Sequence, residues 1–160
     1  DSDIEGRRRA LTKIGLLPRL SSETQRPGAR VRRLPYILFV SGRGERILVG
    51  RGGADNHTTT FKFAKGNDHW LHVRDSPGAH VIVPIPARDK EPHQETLLDA
   101  AALAIHHSKL RGEAGVAVAH TQRKHVKPIK GGPPGRVTMA GAKTIEVFDG
   151  EQRIERLYSK

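Results

Sequence analysis

With 160 residues the chain has room for one domain with a sizeable core, or a small domain plus an arm. It holds no cysteine, which excludes disulfides and a zinc–thiolate centre and suits a reducing cytoplasm, and no apolar run approaches the roughly 20 residues of a membrane-spanning helix. Lys and Arg number 28 against 17 Asp and Glu, a net charge of +11 that attracts polyanions and favours nucleic acid over a membrane surface, for which no basic amphipathic helix is seen.

The opening Asp1-Ser2-Asp3 is neither a secretory leader nor an initiator methionine, so the chain is expected to be a piece of something longer. Residues 1–33 read as an arm. Ile4, Leu11, Ile14 and Leu17 fall near one helical stripe that Gly15 and Pro18 end, and the arginine-rich Ser21–Arg33 stretch, with Pro27-Gly28 inside it, reads as linker. The globular part, 34–160, begins with two strands, Tyr36–Val40 and Arg46–Gly50, joined by Ser41–Glu45. The first lacks polar alternation, which predicts a central strand covered on both faces. A short helix is expected over Asp55–Ala64, capped by Asp55 or Asn56, although three consecutive threonines oppose it.

Trp70–Val73 and Ala79–Val83 have strand composition, and Arg74–Gly78 has turn chemistry, with Gly78 suited to positive φ. A hairpin follows. Alternation puts Trp70 and His72 on one face of the first strand and Leu71 and Val73 on the other, and on the partner strand it separates Ala79, Val81 and Val83 from His80 and Ile82. Trp70 reads equally as a core anchor or as a stacking ring for a nucleotide. Pro92 suits the first turn of a helix over Gln94–Leu110, whose alanines permit close packing on a sheet. Val116–His120 resumes as a strand. From His120 to Lys143 there are six Lys or Arg, namely Arg123, Lys124, Lys127, Lys130, Arg136 and Lys143, and no acid. Thr144–Phe148 and Arg153–Leu157 read as terminal or edge strands. The predicted class is α+β: a mixed, mainly antiparallel sheet with one main helix packed on it, a short second helix, and an N-terminal helical or extended arm.

Nine histidines raise the question of chemistry. His106 and His107 are adjacent and so diverge on a helix, and no HExxH spacing exists; no metal site and no cofactor are expected. His57-Thr58-Thr59 supplies half of a paired H-x-T phosphodiesterase motif, but His120-Thr121-Gln122 lacks the second threonine. A phosphate-processing enzyme acting on RNA or a cyclic phosphate through His57, His72 and His80 stands as the alternative to a binding module.

The order of motifs adds a resemblance. Gly50-Arg51, Asp55-Asn56, Asp68-His69-Trp70-Leu71-His72-Val73, Pro77-Gly78-Ala79-His80-Val81, the alanine-rich helix through Ala100-Ala101 to Ser108, Lys124-His125-Val126-Lys127-Pro128 and Pro134-Gly135-Arg136-Val137 together resemble the NFACT-R domain over about residues 34–148. The resemblance implies a non-enzymatic RNA-binding module of a bacterial ribosome quality-control factor. Its partners would be tRNA, large-subunit rRNA, the stalled large ribosomal subunit and the remaining NFACT domains, in the cytoplasm and away from membranes. By motif position it carries over Arg51, Asn56, Asp68, Trp70, His72, Pro77, Gly78, His80, Lys124, Lys127 and Gly135, the two glycines and Pro77 as architecture. The basic run adds Arg123, Lys130 and Arg136 as RNA contacts. Gly52-Gly53-Ala54 departs from the family, which often carries asparagine there. A protein-adhesion role follows only from the family's older fibronectin-binding label.

Overall fold

The computed structural model describes residues 33–87 and 90–159. All but Arg33 of the expected arm lies outside the described residues. Eight strands and three helices follow in chain order: β1 (Tyr36–Val40), β2 (Arg46–Gly50), α1 (Gly53–Thr58), β3 (His69–Val73), β4 (Val81–Val83), α2 (Gln94–His106), β5 (Val116–Gln122), β6 (Val126–Pro128), β7 (Val137–Met139), β8 (Lys143–Val147) and α3 (Gly150–Tyr158). Six strands form one sheet in the order β1-β2-β4-β3-β5-β8, and every pairing is antiparallel. β6 and β7 pair separately as a two-stranded ribbon.

The alternation across the central hairpin decides the layering. Trp70 pairs with Ile82 and Leu71 with Val81, so one face of the sheet presents Leu71, Val73, Val81 and Val83. Helix α2 covers that face, and its fully buried Ala100, Ala101 and Ala104 let the helix sit close to the strands. The second face holds a smaller cluster of Leu48, Trp70, Ile82, Ala119 and Val126, with Phe61 and Val137 packed against it. Thus the ribbon and the segment after α1 cover what the helix layer does not.

α3 packs on α2 and gives that helix a second buried side. The junction is ionic. Asp99 of α2 is fully buried; its carboxylate accepts from Arg153 Nη1 at 3.0 Å, Arg156 Nη2 at 2.6 Å and the Gly42 N–H at 3.2 Å. Arg153 also donates to Glu95 and Asp149.

Several expectations are corrected. β1 is an edge strand, and Leu38 and Val40 are 50% and 43% exposed on the face that α2 does not cover. Arg153–Leu157 is helical, because Arg153 and Leu157, four residues apart, are both buried on one side. Gly52, rather than Asp55 or Asn56, stands at the N-cap of α1, and no side chain caps it. That helix ends at Thr58 and passes into a π-helical turn, Thr59–Phe63, in which the hydroxyls of Thr59 and Thr60 bond to distant parts of the chain. α2 starts after His93, whose Nδ1 accepts from the Glu95 N–H, so Pro92 precedes the helix. In the β3–β4 turn the left-handed residue is Asp75, at φ 58°, not Gly78. Gly78 is required for space instead: a Cβ there would stand 2.9 Å from Cβ of Ser108.

Candidate nucleic-acid interface

Two features adjoin on the face opposite α2. One is the basic segment. It leaves β5 through a 3-10 turn, Arg123–His125, and forms the ribbon. Val126 is its buried foot in the Trp70 cluster, and by alternation Lys127, paired with Thr138, points the opposite way into solvent. Lys127, Lys130 and Arg136 are exposed and make no ion pair among the described residues. Arg123 and Lys124 are partly spent on anchoring. The Arg123 guanidinium donates to Thr60 O at 2.9 Å and lies 4.7 Å from the Phe61 ring centre, while Lys124 Nζ donates to Asn67 Oδ1 at 3.2 Å.

The other is a cleft of about 740 Å³ between the start of α1, the β3–β4 turn and the Pro134–Val137 loop. His72 and Trp70 lie in its floor, Asp75 and Ser76 on one lip and Arg136 on the other. Trp70 is 0% exposed, its ring stacked near His72 at 5.9 Å and edge-on to His80 at 5.3 Å. The indole is therefore a core residue and presents no open stacking surface. Its Nε1 is buried without a partner among the described residues.

Behind the cleft, hydrogen bonds fix the floor. His80 is 2% exposed and sits between Thr60 Oγ1 (2.8 Å from Nδ1) and Gly135 O (3.0 Å from Nε2). A carbonyl can only accept, so Nε2 carries the hydrogen and Nδ1 accepts from the threonine hydroxyl. Burial, with His72 alongside, pushes the His80 imidazole down to about 3, and both its nitrogens are committed. Burial also lowers His72, against the pull of the Val73 and Gly78 carbonyls. Asn56 clamps the hairpin to α1: its Oδ1 accepts from the His80 N–H (3.1 Å) and its Nδ2 donates to Gly78 O (3.2 Å). Gly135 closes the loop at φ 91°, and a Cβ there would meet Gly53 O at 2.9 Å. Asp68, 5% exposed, accepts from the N–H groups of Lys65 (2.8 Å) and Ile85 (3.2 Å). Arg51 is exposed just past β2.

A scan against protein-family profiles finds no match. Among curated proteins the chain is 37% identical over 119 residues to the Rqc2 homolog RqcH of Bacillus subtilis, covering 74% of this chain and 20% of that protein. It is 33% identical over 156 residues to the Rqc2 homolog RqcH of Streptococcus suis, covering 98% of this chain and 27% of that one. The chain thus spans about a quarter or less of the length of these relatives, which form a family of ribosome quality-control factors. Among solved structures it matches the C-terminal part of the fibronectin/fibrinogen-binding protein from Streptococcus suis, with a TM-score of 0.71, 35% identity, and coverage of 80% of this chain and 50% of that one.

The chain belongs to the NFACT-R family.

Within this NFACT-R fold the sequence-predicted residues divide by position. Asn56, Asp68, Trp70 and His80 are buried and hold the hairpin, the cleft floor and the loops in register. His72 and Arg136 line the cleft, while Lys124, Lys127 and Lys130 are exposed along the basic segment. His57 packs on Phe61 at 4.8 Å. Sequence reasoning missed Thr60, whose hydroxyl donates to His80 Nδ1, because a threonine in an apparent helix gives no sign of a bond made twenty residues away. It also missed a stacked pair, His69 and His120, with Nδ1 and Nε2 2.7 Å apart and Glu91 Oε1 3.0 Å from the other His69 nitrogen. The register His69↔Gln122, Leu71↔His120 creates that pair, and only the fold reveals it.

The histidines give the NFACT-R core an acid sensitivity. The unfolded chain binds a proton at each imidazole near pH 6.5, whereas the folded chain keeps His80 neutral down to about 3, and His107 and His120 down to about 4. Stability is full above the unfolded value and falls with pH below it. Buried His80 alone contributes a slope of up to about 1.4 kcal/mol per pH unit. Urea midpoints measured from neutral pH to about pH 4 should fall steadily with acid; a flat profile would contradict the buried neutral state of His80.

Proposed function

We propose that this domain binds folded RNA, tRNA or large-subunit rRNA, through the exposed basic segment of its ribbon, and does so as the non-catalytic RNA-holding module of a cytoplasmic ribosome quality-control factor acting on stalled large subunits. The observation that carries the reading is the ribbon itself: Lys127, Lys130 and Arg136 are exposed on a stretch without a single acid. Lys and Arg so placed neutralise phosphates and release counterions, and backbone recognition suits a surface with few exposed aromatic rings. The binding-only reading is supported by His80, both of whose ring nitrogens are held in hydrogen bonds inside the fold. The other NFACT domains of a full-length protein and the large subunit are its proposed partners.

The test is equilibrium binding of labelled tRNA across a salt series. Log affinity should fall linearly with log salt, with a slope of about −0.7 to −0.9 per phosphate neutralised. Binding that ignores salt, or tight binding of a matrix protein in place of RNA, would replace this reading with protein adhesion, and RNA cleaved during the incubation would replace it with the enzyme.

A further inference from the structure

The cleft beside the ribbon has features that the ribbon alone does not explain. At about 740 Å³ it falls in the size range of a small-ligand site and cannot admit a duplex, whose two backbones need a far wider channel. Its rim carries an exposed guanidinium, Arg136, on the same loop that feeds the ribbon. Apolar surface comes from Val137 and Met139, and polar groups for a base edge or a ribose come from His72 and Ser76. Trp70 also lies in the floor, its indole N–H fully buried and unpartnered among the described residues. Such a group calls for an acceptor that no described residue supplies.

We propose that this cleft takes a single unpaired nucleotide of the RNA, its phosphate at Arg136, its base against Val137 and Met139, and its polar edge toward His72. The proposal rests on the RNA-binding reading and deepens it: the ribbon grips the backbone of any RNA, and the cleft selects one that presents an unstacked residue. RNA is read in this way because the groove of a paired A-form helix hides its base edges, whereas loops and ends expose them. Arg136, Val137 and Met139 belong to both features, which places the splayed nucleotide one step from the phosphates held by the ribbon.

The experiment titrates the folded chain with three probes: an RNA hairpin with an unpaired loop, a blunt RNA duplex of equal charge, and adenosine monophosphate alone. Two signals are read, the anisotropy of labelled RNA and the emission of Trp70, the only tryptophan. The hairpin should bind at least about fivefold tighter than the duplex, the scale of one net hydrogen bond at His72, and should change Trp70 emission where the duplex does not. His72→Ala should remove the preference while leaving duplex affinity and its salt slope unchanged. Ser76→Phe, at a surface turn, should block the cleft in the same way and guards against misfolding of the His72 variant. Equal affinity for hairpin and duplex, with neither variant altering it, would overturn the cleft proposal and leave RNA binding standing. A Trp70 response to adenosine monophosphate without binding of either RNA would keep the cleft as a nucleotide site and overturn the RNA reading. Silence toward all three probes would overturn both.

Discussion

Replacing Lys127, Lys130 and Arg136 together by alanine should weaken RNA binding roughly 10²-fold or more at about 0.1 M salt, because each released counterion contributes close to a tenfold factor there. The salt slope should become shallower by roughly 3, one per phosphate contact removed. Stability should hardly change, since all three side chains are exposed and make no ion pair among the described residues. That separation makes the result decisive: filter binding reads affinity and urea unfolding reads the fold on the same preparation. Lys124→Ala offers a graded comparison. Its Nζ already donates to Asn67, so its removal should cost less affinity than removal of Lys127. An unchanged slope in the triple variant would take the ribbon out of the interface and leave the positive charge elsewhere to account for any binding.

The largest loss of stability should come from a residue far from the ribbon. Asp99→Ala should cost about 3 kcal/mol, as expected when one member of a buried charge pair is removed and its partners keep their charge. Asp99 is fully buried and receives Arg153, Arg156 and the Gly42 N–H, so its loss removes bonds from α2 to α3 and to the β1–β2 turn at once. Glu95→Ala touches the same Arg153 from a carboxylate whose side chain is 49% exposed, and it should cost about 0.5 kcal/mol. Denaturant midpoints of the two variants, compared at equal slope, check the contrast. Equal losses would mean that the exposed and the buried carboxylate share the load.

Much of the sheet was legible because alternation has a period of two. Leu71 with Val73, and Val81 with Val83, could each be assigned to one face of their own strand before any coordinates, and the register joins the two pairs in the face under α2. The fate of Trp70 was not legible. Whether the second face is open or covered depends on Val126, more than fifty residues later, folding back over it, and nothing local to the hairpin carries that information. Arg153–Leu157 failed for a different reason: apolar residues at 154 and 157 fit a helix as well as a strand in so short a run, and burial against α2 made the choice. β1 was misread as central because its apolar content suggested two covered faces, whereas Leu38 and Val40 stand at a sheet edge. For the candidate site, charge and motif order singled out the segment that forms the ribbon and the lip of the cleft. They could not distinguish residues that shape the cleft, such as Asn56 and His80, from residues that reach solvent.

The ribbon is a ladder of only three residue pairs, and its sole fully buried side chain is Val126. So slight a foothold lets it open by itself, without melting the helix layer on the opposite face. Amide protons of Val126–Pro128 and Val137–Met139 should accordingly exchange with deuterium far sooner than those of α2, and a bound polyanion should slow them selectively. The very element that carries the charge is then also the hinged cover of the indole below, and occupancy by a partner would be felt as a tightening of the fold.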